Sequence, residues 1–155
     1  QPTRDGATPL HASARSGHIE VARLLVERLA DMETQMRGGA TPLLAAALEG
    51  HADIVNFLCD AGVSRDSGTQ DGVSPLHAAA ERGHHEVVQS LCRAGADKDR
   101  QMRHGVTPLL AAALQGRLGV MHCLLEAGAD KDRPMQNGVA LSVVAQSDTQ
   151  VDQME

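Results

Sequence analysis

Apolar positions along this chain fall into two kinds of cluster that return in the same order, separated by polar stretches and glycines. One kind is dense and small, as in Ala45-Ala46-Ala47 and Ala78-Ala79-Ala80. The other has helical spacing: Val21, Leu24 and Leu25; Ile54, Phe57 and Leu58; Val87, Val88 and Leu91; Val120, Leu124 and Leu125. Each kind predicts a short helix, and the pair recurs every 33 residues, in units opening at Asp5, Gly38, Asp71 and His104. The units run 5–37, 38–70, 71–103 and 104–136, with a partial fifth over 137–155, all within one expected domain, 1–155. Self-similarity at this period implies an all-α solenoid of stacked helix-turn-helix units, not a closed globule around one cleft.

The chemistry at the helix ends supports this division. Thr8, Thr41, Ser74 and Thr107 each precede Pro-Leu. Their hydroxyls can accept from free N–H groups at a helix start, and the proline ring fixes φ where the first helical residue needs it. Gly17, Gly50, Gly83 and Gly116 then end the first helix, since glycine takes φ > 0 without a Cβ clash. The apolar stripe of the second helix follows and ends at Gly62, Gly95 and Gly128, and a polar segment such as Asp97-Lys98-Asp99-Arg100 leads to the next unit. Each unit is thus expected to be two antiparallel helices and a projecting finger, and neither helix can bury its apolar face without its neighbours.

Composition narrows the kind of core and of partner. With no Trp, no Tyr and one Phe, the core must be aliphatic and alanine-based. The longest apolar runs fall far below the roughly 18 residues of a membrane span, and no signal peptide opens the chain, which therefore reads as soluble with no membrane insertion. The net charge of −6 and the mixing of acids with bases argue for protein partners over nucleic acid, whose affinity grows from clustered Lys and Arg. Cys59, Cys92 and Cys123 all fall on second helices. Cys59 and Cys92 hold the same place in successive units, roughly 10 Å apart as for packed helices, too far for a disulfide. They read as small buried hydrophobes, and an odd set of free thiols fits a reducing, intracellular compartment, cytoplasmic or nuclear.

The phrases Gly6-Ala7-Thr8-Pro9-Leu10-His11-Ala12 and Gly72-Val73-Ser74-Pro75-Leu76-His77-Ala78, with closes at Gly95-Ala96-Asp97 and Gly128-Ala129-Asp130, resemble the ankyrin repeat. The resemblance covers Asp5 through Gln136. It implies a solenoid with projecting β-turn fingers, serving as a non-catalytic scaffold or adaptor for protein–protein interaction. A second reading is a regulatory or targeting segment excised from a larger enzyme or membrane channel. In the family, the histidine of the Thr-Pro-Leu-His box braces the turn, and the histidine after the glycine links helices. That accounts for His11, His77, His18, His51 and His84 without a metal. There is no Cys-x-x-Cys or His-Glu-x-x-His spacing, and no glycine-rich phosphate loop, so no metal, cofactor or catalytic residue is assigned. The finger position where the family carries a hydroxylated Asn holds Glu33, Asp66, Asp99 and Asp132 here, so that property carries over only weakly.

Differences between units point to a surface. His11 and His77 alternate with Leu44 and Leu110; four residues on, Arg15 and Glu81 alternate with Leu48 and Leu114. Gln35-Met36-Arg37 recurs as Gln101-Met102-Arg103, 66 residues later, which reads as duplication of a two-unit block. The resemblance places the ends of the first helices and the finger tips on a concave partner-binding face. The expected contacts are Leu48, Glu49, Glu81, Arg82, Leu114 and Gln115, with Ala40, Val73, Val106, Met36 and Met102 on the fingers. Leu48 and Leu114 are expected either to form an exposed apolar patch or to pack between first helices.

The ends depart from the pattern. Leu29 stands where later units have a helix-ending glycine, so it either takes a left-handed conformation or the helix ends differently. In the fifth unit Ala140-Leu141-Ser142 replaces the Thr-Pro-Leu box. Nothing precedes the first unit as a polar cap, which suggests either a piece of a longer array or self-association through uncapped ends.

Overall fold

A computed structural model describes residues 3–134 of the chain; the partial fifth unit, including Ala140-Leu141-Ser142, lies outside them. Eight α-helices follow one another: α1 (Pro9–Ser16), α2 (Ile19–Glu27), α3 (Pro42–Glu49), α4 (Ala52–Asp60), α5 (Pro75–Arg82), α6 (His85–Arg93), α7 (Pro108–Leu114) and α8 (Leu118–Glu126). A single 3-10 turn, Arg103–Gly105, precedes α7, and no strand occurs among the described residues. The odd-numbered helices stack on one another as one layer, the even-numbered helices as a second, and each odd helix packs on the even helix that follows it. This is an all-α solenoid of stacked helix-turn-helix units.

Every first helix begins as the sequence implies. The hydroxyls of Thr8, Thr41, Ser74 and Thr107 accept from the backbone N–H three residues on, and a proline takes the first helical position. Thr41, Ser74 and Thr107 are themselves buried, so the hydrogen bond also meets the need of a polar group withdrawn from water. Gly17, Gly50 and Gly83 end α1, α3 and α5 with φ of 77°, 82° and 78°.

Space gives a second reason for these glycines. A Cβ on Gly17 would lie 2.7 Å from the His51 ring, and one on Gly50 would lie 2.6 Å from the His84 ring. At Gly83 the Arg117 side chain would be met at 2.9 Å. The residue after each helix-ending glycine thus sits directly on the glycine of the unit before it. From there His51 Nε2 reaches the Arg15 carbonyl at 2.9 Å, His84 Nε2 reaches the Leu48 carbonyl at 2.9 Å, and Arg117 Nε reaches the Glu81 carbonyl at 3.2 Å. One carbonyl at the end of each of α1, α3 and α5, where carbonyls lack helical partners, is thus satisfied by the next unit.

The core runs between the layers. Leu10, Leu43, Leu76 and Leu109 anchor the first helices; Ile54, Val87 and Val120, with Leu58, Leu91 and Leu124, anchor the second. Ala46, Ala47, Ala79, Ala80 and Ala112 let first helices approach closely. The apolar stripe expected of every second helix needs correction at the ends. Val21 and Leu24 on α2 are 48% and 52% exposed, and Leu125 on α8 is 39% exposed. Val21 holds the place of Ile54, Val87 and Val120, which the preceding unit covers; no described helix lies on that side of α2. Burial belongs to the junction between units, so a position identical by pattern is core only when the stack covers it.

Leu29 settles the other question at the first unit. It takes the left-handed conformation, φ 63°, where Gly62, Gly95 and Gly128 have φ of 91°, 87° and 93°. Its side chain is 93% exposed, so no packing offsets the strain.

Candidate functional site

The fingers are built by backbone hydrogen bonds. In each, an N–H donates back across the tip: Met36 to the Ala40 carbonyl at 2.8 Å, Thr69 to Val73 at 3.1 Å, and Met102 to Val106 at 2.9 Å. Successive fingers are joined by one bond each, from Arg37 N–H to the Asp5 carbonyl, Gln70 to Gly38, and Arg103 to Asp71. Arg103 and Asp71 add an ion pair at 3.1 Å, with both side chains more than half exposed, so its contribution is small. On the other side of each finger a carboxylate accepts from a backbone N–H of the next unit: Glu33 from Ser64, Asp66 from Asp97 at 2.9 Å, and Asp99 from Asp130 at 2.7 Å. Glu33, Asp66 and Asp99, at the family's Asn position, therefore serve as links between units.

His11 and His77 join fingers to helices. The Thr8 N–H donates to His11 Nδ1 at 3.1 Å, so that nitrogen is unprotonated and Nε2 carries the hydrogen, donated to the Ala40 carbonyl at 3.1 Å. Ser74 N–H and His77 Nδ1 repeat the arrangement at 3.3 Å, with His77 Nε2 donating to the Val106 carbonyl at 2.9 Å. Both imidazoles are buried, and burial holds both below the ordinary histidine pKa, with the accepting carbonyl partly opposing that shift. They tie the first unit to the second and the third to the fourth. Leu44 and Leu110, in the same place in the alternate units, are buried as well. This half of the alternation is therefore a matter of packing and not of surface.

The other half does reach the surface, unevenly. Leu114 is 59% exposed and Leu48 is half-buried, so the two leucines divide between the two expected arrangements. The α3 stretch carrying Leu48 has a following first helix, α5, stacked on it, whereas among the described residues the first helix that packs on α7 is α5, before it. Glu49, Glu81, Arg82 and Gln115 are exposed at the ends of the first helices. Ala40, Val73, Val106, Met36 and Met102 are half-buried on the fingers, and the carbonyls of Ala40 and Val106 are the ones the histidines hold.

Between the first two fingers and α1 and α3 lies a groove of about 410 Å³. Asp5 and Ala7 of the first finger, Met36 of the second, Ala12 and Arg15 of α1, and Ala45 of α3 line it. Of the expected contact residues only Met36 lies there. Ala12, Arg15 and Ala45 were not among those expectations, although Arg15 holds the same place as Leu48, Glu81 and Leu114. The signal that finds them is helical spacing: Ala12 and Arg15 are three apart and share a face of α1.

Among the described residues no three His, Cys, Asp or Glu side chains gather as a metal site, and no helix is long and apolar enough to cross a membrane. A family model described as ankyrin repeats (3 copies) matches residues 1–67 and 60–135. The chain belongs to the ankyrin-repeat family. No curated protein matches it at a significant level. Ankyrin repeats are generally protein–protein interaction modules and are typically non-catalytic.

Proposed function

We propose that this chain is a non-catalytic scaffold or adaptor that docks a protein partner on the face formed by its fingers and the ends of its first helices. The observation that supports this most is the groove in which Met36, Ala12, Arg15 and Ala45 meet. Its walls are held by hydrogen bonds between and within units before any partner arrives, so little ordering entropy is lost on docking. Leu114 extends the apolar surface toward the fourth unit, Glu49, Glu81 and Arg82 supply charge along the way, and Met36 and Met102 are adaptable side chains on the fingers. The three free thiols support an intracellular, reducing setting, cytoplasmic or nuclear.

Affinity capture with three proteins tests this reading: the native chain, Met36→Asp combined with Leu114→Asp, and Asn56→Ala on the outer layer. Proteins retained by the native chain and the Asn56 variant but lost by the double variant are the expected result, with circular dichroism showing all three folded. Equal capture by all three would refute the docking face.

A second reading, self-association through the ends of the stack, is favoured by the exposed Val21 and Leu24 on α2 and Leu118 and Leu125 on α8. These positions repeat the surfaces that units two and three use on each other. Sedimentation that shows a concentration-dependent dimer lost in Leu24→Glu supports it; a monomer at all concentrations contradicts it.

A further inference from the structure

The three cysteines do not occupy equivalent surroundings. Cys59 is buried, whereas Cys92 and Cys123 are half-buried. Which way each points along the stack is legible from its counterparts in other units. Cys92 shares its place with Val26, Cys59 and Leu125, and this place is most exposed at Leu125, in the last helix of the described stack. It therefore faces the following unit. Cys123 shares its place with Leu24, Phe57 and Ser90, and this place is most exposed at Leu24, in the first unit. It faces the preceding unit. The two cysteines thus lie on the facing sides of α6 and α8, which pack together.

The spacing agrees. Cys92 and Cys123 are 31 residues apart, and the same interval joins Asp66 to Asp97 and Asp99 to Asp130 a few residues further along, where carboxylate and backbone N–H lie within 2.9 Å. At the junction before it, the same pair of places holds Cys59 and Ser90, and at the first junction Val26 and Phe57. Among the described junctions, that of the third and fourth units is the one with cysteine at both places. Burial raises both thiols above the ordinary cysteine pKa, and the charge of Cys123 is the next contribution at Cys92, as expected of near neighbours. Arg93 and Lys98 lie close enough to oppose the shift.

We propose that Cys92 and Cys123 form a dithiol across the third and fourth repeats that closes to a disulfide on exposure to a low-molecular-weight disulfide. One thiol gives up its proton and attacks the small disulfide, releasing one small thiol and leaving a mixed disulfide. The second cysteine, deprotonated, attacks the protein sulfur of that mixed disulfide and releases the second small thiol. Two electrons pass from the protein to the small disulfide, and both protons end on the released thiols. Their raised pKa values keep both thiols protonated near neutrality and slow the first attack, so closure is expected to speed up as pH rises. The bond ties α8 to α6 at the end of the described stack.

The test uses the full chain incubated with oxidised glutathione, followed by non-reducing peptide mapping and thermal melting. A peptide linking Cys92 to Cys123 within one chain, with a Tm several degrees higher that returns to its reduced value with dithiothreitol, is expected. Cys59→Ser leaves this result unchanged. Cys92→Val and Cys123→Ser each abolish it; both substitutions install residues that the repeat already carries at those places, Val26 and Ser90. Separate glutathione adducts on Cys92 and Cys123, thiols that stay free, a link through Cys59 or a link only between chains would each overturn the proposal. So would an internal link that leaves the Tm unchanged.

Discussion

Replacing Leu29 with glycine should stabilise this protein, although it deletes a large apolar side chain. Leu29 is held at φ 63° with 93% of its surface exposed. A left-handed L-residue costs about 1–2 kcal/mol, and an exposed side chain returns almost no burial energy against that. Glycine removes the strain but adds freedom to the unfolded chain, a cost of about 0.4–1 kcal/mol. The net gain is about 0–1.6 kcal/mol, centred near 0.8, or a Tm rise centred on about 2–3 °C at this chain length. Leu29→Ala is the control, since it trims the same side chain without relieving the backbone. Thermal and urea unfolding followed by circular dichroism give the comparison. If Leu29→Gly melts no higher than the native chain, or no higher than Leu29→Ala, then the strain is not there and the reasoning about this helix end is wrong.

Other perturbations follow from the same structure. Gly50→Ala should cost about 2–3 kcal/mol in urea unfolding, because alanine is strained at the positive φ of this position and its Cβ meets the His84 ring at 2.6 Å. Leu76→Ala, at a fully buried position of the third unit, should cost about 2–5 kcal/mol by the same assay, whereas Val21→Ala at an exposed position of α2 should stay within about 0.5 kcal/mol. His11 and His77 have folded pKa values below their unfolded value, so the unfolded chain binds more protons as pH falls. The stability they allow is fully present above about 6.5 and declines as pH drops below it, by up to about 1.4 kcal/mol per pH unit for each. His77→Leu, the residue found in the alternate units, should flatten that decline when Tm is followed from neutral to acid pH.

Much of the fold was legible because the repeat states each local rule four times. The Thr or Ser cap and the proline after it are local chemistry and are found in all four units. The glycine stop holds for α1, α3 and α5, whereas α7 ends one residue early, at Leu114 with Gln115 as its cap, ahead of Gly116. What the pattern could not show is which copies are covered. Val21 and Ile54 are equivalent by spacing, yet only Ile54 is buried, because burial depends on a neighbouring unit and not on the residue's own helix. The alternation of His11 and His77 with Leu44 and Leu110 looked like surface variation and is buried packing. Its partner alternation does reach the surface, but Leu48 and Leu114 differ in exposure for the same reason that Val21 and Ile54 do. Met36 was legible as a finger residue, whereas Ala12 and Ala45 have unremarkable side chains and enter the groove only through the placing of two helices and two fingers.

The account rests above all on units that stack in series, each placing its post-glycine residue on the glycine of the unit before. Nuclear magnetic resonance can observe this directly at the α-protons of Gly17, Gly50 and Gly83. The structure predicts nuclear Overhauser contacts and ring-current shifts at Gly17 from His51 and at Gly50 from His84, and at Gly83 contacts from Arg117 of the next unit in place of a histidine. Absence of the first two contacts in the folded protein would contradict the stack itself.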